Sequence, residues 1–127
     1  MTFYKPIMYG FLPIDRIAHI LKEELRDGRV RLSASAHRHI AQDHPEDYEF
    51  CLAHMAEAIE NPTYIGKPPW QIRNFELVKK IEDHNLLIAV SLEQDHGSYR
   101  IRSSYRISYE KVRKRLAEKY LLSPKKG

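Results

Sequence analysis

A single cysteine, Cys51, stands among the 127 residues. One thiol closes no internal disulfide, and no cysteine cluster offers a zinc site. Such sparing use suits a reducing compartment. Long apolar runs are missing too: none approaches the roughly 20 residues that cross a bilayer. The first nine residues carry Lys5 and several aromatics but lack the apolar centre of a secretory signal. A cytoplasmic protein without a membrane segment is therefore expected. Internal repeats and low-complexity stretches are also absent.

What is present is an ordinary globular mix, 43% apolar and 30% charged. The length fits one domain able to bury a core without disulfides or metals. The net charge of +4 is compatible with a polyanionic partner but does not demand one. Its distribution says more, because ten of the 21 Lys and Arg residues fall between Arg100 and Lys126.

The segment from Thr2 to Leu12 reads as irregular. Ile14, Ile17, Leu21 and Leu25 recur at helical spacing after Pro13, and Gly28 is a natural stop. Val30 and Leu32 alternate in a short extended piece. Ser33 or Ser35 caps a second helix, which His44-Pro45 ends because the residue before proline is pushed out of the helical region. A third helix is expected from about Pro45 to Glu60, closed by Asn61-Pro62, with Cys51 as a small core hydrophobe.

From Tyr64 the period changes to two. Residues 75–80 alternate, Asp83-His84-Asn85 reads as a turn, and Leu86 to Leu92 is apolar enough for a central strand. A turn at Asp95-His96-Gly97-Ser98 leads to a strand over Tyr99 to Tyr105. Ser108 then caps a last helix with Val112, Leu116 and Tyr120 inward and a basic outer face. Short connections imply an antiparallel meander. The order of elements predicts an α+β fold of N-terminal helices, an antiparallel β meander and a C-terminal helix, with the helices on one sheet face.

The densest polar cluster is His37-Arg38-His39-Ile40-Ala41-Gln42-Asp43-His44. Histidine can take or give a proton near neutral pH; the plainer reading is a solvated helix face. A metal site is disfavoured. His37 and His39 point to different sides of a helix, and His37 and His44 are two turns apart. A second cluster lies on the strands: Lys79 and Lys80 on one, Arg100, Arg102, Ser103, Ser104 and Tyr105 on another. Its plainer reading is a charged sheet edge that resists aggregation. Together the two clusters have the parts for cutting RNA without a metal. A base takes the 2′-OH proton, cations hold the charge that develops at phosphorus, and an acid protonates the departing 5′-oxygen. Tyr64, Trp70, Tyr99 and Tyr105 could stack on unpaired bases or serve as packing.

His39-Ile40 followed by His44-Pro45-Glu46 resembles the "HI…HPE" motif of the phage-type nucleases of the barnase, EndoU, colicin and RelE-like superfamily. Asn61-Pro62-Thr63-Tyr64-Ile65, Leu77-Val78-Lys79-Lys80-Ile81, the strand from Leu86 and the stretch Ile101 to Ser108 resemble later pieces of that family in the same order. The likeness covers roughly Val30 to Ser108. Ser103 stands where the family has threonine, which keeps a hydroxyl, and Ser104 stands where it has alanine.

The resemblance implies a RelE/barnase-like fold and a metal-independent endoribonuclease that uses no cofactor. His39, His44, Lys79 and Ser103 would be catalytic. Arg102, Tyr105, Lys80 and Arg100 would bind substrate. It further implies RNA as partner, such as tRNA or another structured RNA, an inhibitor or antitoxin protein, and a phage or toxin setting. The alternative is a catalytically idle module that binds RNA or protein. The expected layout is an N-terminal segment and helix over 1–29, the nuclease domain over 30–122 and a basic tail over 123–127.

Overall fold

The computed structural model describes residues 3–124. Lys125, Lys126 and Gly127 of the expected basic tail lie outside the described residues. The chain runs β1 (Ile7–Phe11), α1 (Ile14–Leu21), β2 (Arg29–Leu32), α2 (Ala34–Asp43) and α3 (Tyr48–Glu60). It continues as β3 (Tyr64–Gly66), β4 (Asn74–Ile81), β5 (His84–Ser91), β6 (Ser98–Ile107), α4 (Tyr109–Ala117) and β7 (Leu121–Leu122). The strands form one sheet in the order β1-β2-β6-β5-β4-β3-β7. β4, β5 and β6 are the antiparallel meander that the alternation implies. β2 joins β6 in parallel over Ser98–Arg100. This is the expected α+β class.

Alternation in β4 and β5 sorts the two faces. Phe75, Leu77, Leu86, Ile88 and Val90 lie with α1, α2 and α3 in the larger core, where Ile17, Ile40, Met55 and Ile59 are also buried. Val78, Leu87 and Ala89 face a smaller core with Val112 and Leu121. The last helix therefore packs on the opposite face from the other three, not beside them. Its stretch ends at Ala117, so Tyr120 is not a helical residue.

Four local expectations change. The N-terminal segment is not irregular, because β1 pairs with β2 and extends the sheet. β1, α1 and the later strands share the larger core, so packing is continuous across residue 29. α1 stops at Leu21, with Lys22 left-handed at φ 57°. Gly28 serves another purpose: a Cβ there would lie 2.6 Å from Gln94 Nε2 and 3.2 Å from the Tyr99 ring. α3 starts at Tyr48, because Pro45 to Asp47 form a turn. Finally, His84 and Asn85 pair within β5, and the hairpin turns on Glu82-Asp83, with Glu82 at φ 53°.

Cys51 is wholly buried in the larger core, which pushes its thiol above its ordinary range, so it is a packing residue. His37 is also structural. Its Nδ1 sits 2.8 Å from the Lys5 carbonyl and its Nε2 2.6 Å from the Tyr48 hydroxyl, tying the N-terminal segment to α2 and α3.

Asp47 precedes α3 without capping it. Its carboxylate accepts instead from the backbone N–H of Arg106 at 3.1 Å and from Arg106 Nε at 2.6 Å. The α2–α3 junction is thereby fastened to the edge of β6. Replacing Asp47 by Ala leaves the Arg106 guanidinium and the Arg106 backbone N–H without their acceptor. We expect a loss of about 2–4 kcal/mol in urea melts. A loss under 0.5 kcal/mol would show that the clamp contributes nothing.

Candidate functional site

β2 covers only the first residues of β6. Beyond Arg100, α2 takes the place of a strand along that edge and runs in the same direction as β6. Its start lies by Arg100 to Arg102, and the turn after its end lies by Tyr105 and Arg106. Ser33 caps α2 by accepting from the Ala36 N–H at 3.1 Å.

A hollow of about 280 Å³ opens between α2 and β6. It is lined by Ser33, Ser35, Ala36 and His39 from the helix side and by Arg100, Ile101 and Arg102 from the strand. Arg102 is there because of a β-bulge. Ala89 pairs with Ser103 and Val90 with Ile101, so Arg102 is the extra residue and re-aims at the edge. Its lining residues include two arginines, a histidine and two serines at the start of α2, and no Asp or Glu is among them. Such a set favours an anion. Arg100 and Arg31 share the carboxylate of Asp95, each at 3.7 Å. The Nε atoms of both are buried without a partner among the described residues. His39 is 72% exposed and lies 3.4 Å from Asp43, one turn on.

His44 follows α2 and stacks on Tyr105, with ring centroids 5.0 Å apart and planes at 30°. Burial and the nearby Glu76 carboxylate raise the Tyr105 phenol above its usual range, and Arg115 partly offsets them. Tyr105 therefore stays a neutral hydrogen-bond donor. Ser103 lies on the same side of β6, across from Ala89. His39, Arg100 and Arg102 thus share one hollow, and His44, Tyr105 and Ser103 continue the line along the strand.

Lys79 and Lys80 do not join them. Lys79 shares its parity with Phe75 and Leu77, which turns it toward the three-helix face. Its ammonium donates to the Asn61 carbonyl at 2.9 Å and lies 3.5 Å from Glu57, so it holds the end of α3. β5 separates its strand from β6. Lys80 is exposed at the far end of β4, two strands from Ile107. Tyr99 is buried and donates to the Arg26 carbonyl, so it offers no ring to a ligand.

Sequence reasoning missed Glu76 and Arg115. Arg115 Nε donates to Glu76 Oε1 at 3.0 Å, and Gln71 Nε2 donates to Oε2 at 3.0 Å. A charged residue inside an apolar strand and an arginine amid exposed ones were the available signals. Their pairing across 39 residues was not. Among the described residues no group of three or more His, Cys, Asp or Glu is placed to hold a metal ion, and no helix is long and apolar enough to cross a membrane.

Comparison with known proteins adds one match. The family model described as "phage-Barnase-EndoU-ColicinE5/D-RelE like nuclease3" covers residues 12–114. It begins in the loop before α1, well ahead of the Val30 at which the sequence resemblance starts. No curated protein and no solved structure matches the chain.

The geometry of the α2–β6 hollow predicts an anion site that can be read without any reaction. Inorganic phosphate should shift the imidazole proton resonances of His39 in NMR spectra and leave those of exposed His19, on the α1 helix that packs by β3, in place. Arg102→Ala should weaken that response by about tenfold, the loss of one charge-assisted contact. Equal shifts at both histidines would contradict a local site.

Proposed function

The chain belongs to the phage-Barnase-EndoU-ColicinE5/D-RelE like nuclease family, and from that premise we propose that it is a metal-independent endoribonuclease. The observation that carries this reading is the meeting of His39 with Arg100 and Arg102 in one anion-sized hollow at the edge of β6. Arg100 and Arg102 bind the scissile phosphate and hold the charge that grows on its oxygens during attack. The N-terminus of α2 adds positive potential. His39, exposed and beside the phosphate, takes the proton of the 2′-OH as that oxygen attacks phosphorus. The 5′-oxygen leaves with a proton from a second group, a general acid.

His44 and Tyr105 supply that acid and position it. Their stacking fixes both rings, and the neutral phenol donates a hydrogen bond. Ser103 binds a phosphate oxygen through its hydroxyl. In this reading the arginines do what the sequence resemblance assigns to Lys79, and Lys79 secures the helix end behind the sheet. DNA lacks the attacking hydroxyl and is spared. Structured RNA such as tRNA is the substrate we favour, and an inhibitor protein would act by covering the α2–β6 edge.

Purified protein in EDTA should cut tRNA or rRNA into discrete fragments and leave DNA of matched sequence whole. His39→Ala should slow cleavage by about 10²–10⁴-fold, the usual worth of one acid or base. Its thermal melt should stay unchanged, because the side chain is exposed. An identical ladder at an identical rate from that variant would overturn the assignment. RNA bound but recovered intact would favour the idle module.

A further inference from the structure

Trp70 is the only tryptophan of the chain. It is 57% exposed, yet it is held firmly. Tyr120 meets it edge-on, centroids 5.6 Å apart at 88°. The Arg115 guanidinium lies over the indole at 5.1 Å from its centre. Arg115 is itself pinned by Glu76, whose side chain has no exposure at all. An ion pair rooted beneath the sheet surface therefore positions a ring at the surface. Gly66 has a part in this too. A Cβ there would come within 1.7 Å of the Tyr120 carbonyl oxygen, so only glycine lets that backbone cross β3 and set the Tyr120 ring beside Trp70.

These rings border a second hollow, of about 570 Å³, between α4 and the loop before β4. Pro69, Trp70, Tyr105 and Ile107 form its apolar part, and Lys111 and Lys114 stand on the α4 side. Glu76 matches the charge of Arg115, which leaves two lysines against Glu118 and a net attraction for anions. A ligand for this hollow is flat and aromatic at one end and negatively charged at the other. Tyr105 is shared, since it also carries the stacked His44. The second hollow thus continues the line of Arg100, Arg102 and Tyr105 along β6.

We propose that this hollow binds an unpaired nucleobase together with its phosphate. The base stacks among Trp70, Tyr105 and Tyr120, and the phosphate meets Lys111 and Lys114. This rests on the nuclease reading and deepens it by naming the substrate class: single-stranded or looped nucleic acid, whose bases offer a free face. A duplex, with its bases stacked on one another, does not fit.

Trp70 reports on its own site. The whole protein is titrated with a short single-stranded 2′-O-methyl oligoribonucleotide, which lacks the hydroxyl needed for cleavage. Tryptophan emission should be quenched to saturation. The same strand in a duplex should quench little. The double variant Lys111→Glu, Lys114→Glu should bind the single strand at least about tenfold more weakly, with an unchanged thermal melt because both side chains are exposed. Unquenched emission at oligonucleotide levels that saturate binding by anisotropy would overturn the proposal. Equal quenching affinity in the double variant, or equal quenching by the duplex, would do the same. The two readings separate cleanly. Cleavage in EDTA without quenching removes this hollow alone, and quenching without cleavage removes the nuclease reading and leaves the hollow standing.

Discussion

A β-strand edge left open exposes backbone donors and acceptors, and something must cover it. In this chain the cover is the α2–α3 corner, and the Asp47 carboxylate fastens it through the Arg106 backbone and guanidinium. A strand in that position would have paired the edge and filled it. A helix covers it at a greater distance and leaves a hollow whose walls are helix side chains on one flank and strand side chains on the other. The bulge at Arg102 then turns an extra cation into that space. The candidate site is thus a consequence of how one sheet edge is closed.

The same principle of fixed cations recurs on the far face. Buried Glu76 orients Arg115, Arg115 orients Trp70, and Gly66 admits Tyr120 beside it. An ion pair in an apolar sheet gains little net stability, since desolvation offsets attraction. Its effect here is geometric, because it holds an exposed ring in one orientation. Tyr105 joins the two regions, with His44 stacked on it and the second hollow beside it.

Much of the fold was legible. The period-two run from Phe75 to Tyr105 marked three strands, and Ser33 and Ser108 marked two helix starts, because these signals are local. β1 escaped notice because its five residues mix burial without alternating. The face of α4 could not be read, since either face of the sheet accepts an apolar stripe. Of the site, the histidines and arginines were visible as residue types. The side taken by Lys79 was readable too, because it shares its parity with Phe75 and Leu77. The Asp47–Arg106 clamp spans 59 residues and leaves no local trace. Arg115 looked like one more solvated cation until its partner was known.

The central claim is that His39 and Arg102 act together on one phosphate. A double-mutant cycle on RNA cleavage, with His39→Ala, Arg102→Ala and the pair, tests it most directly. Groups that serve one transition state lose their effect together. The doubly substituted protein should therefore be about as impaired as the worse single variant. Rate losses that simply multiply, or an Arg102→Ala variant that cleaves at the unaltered rate, would contradict the account.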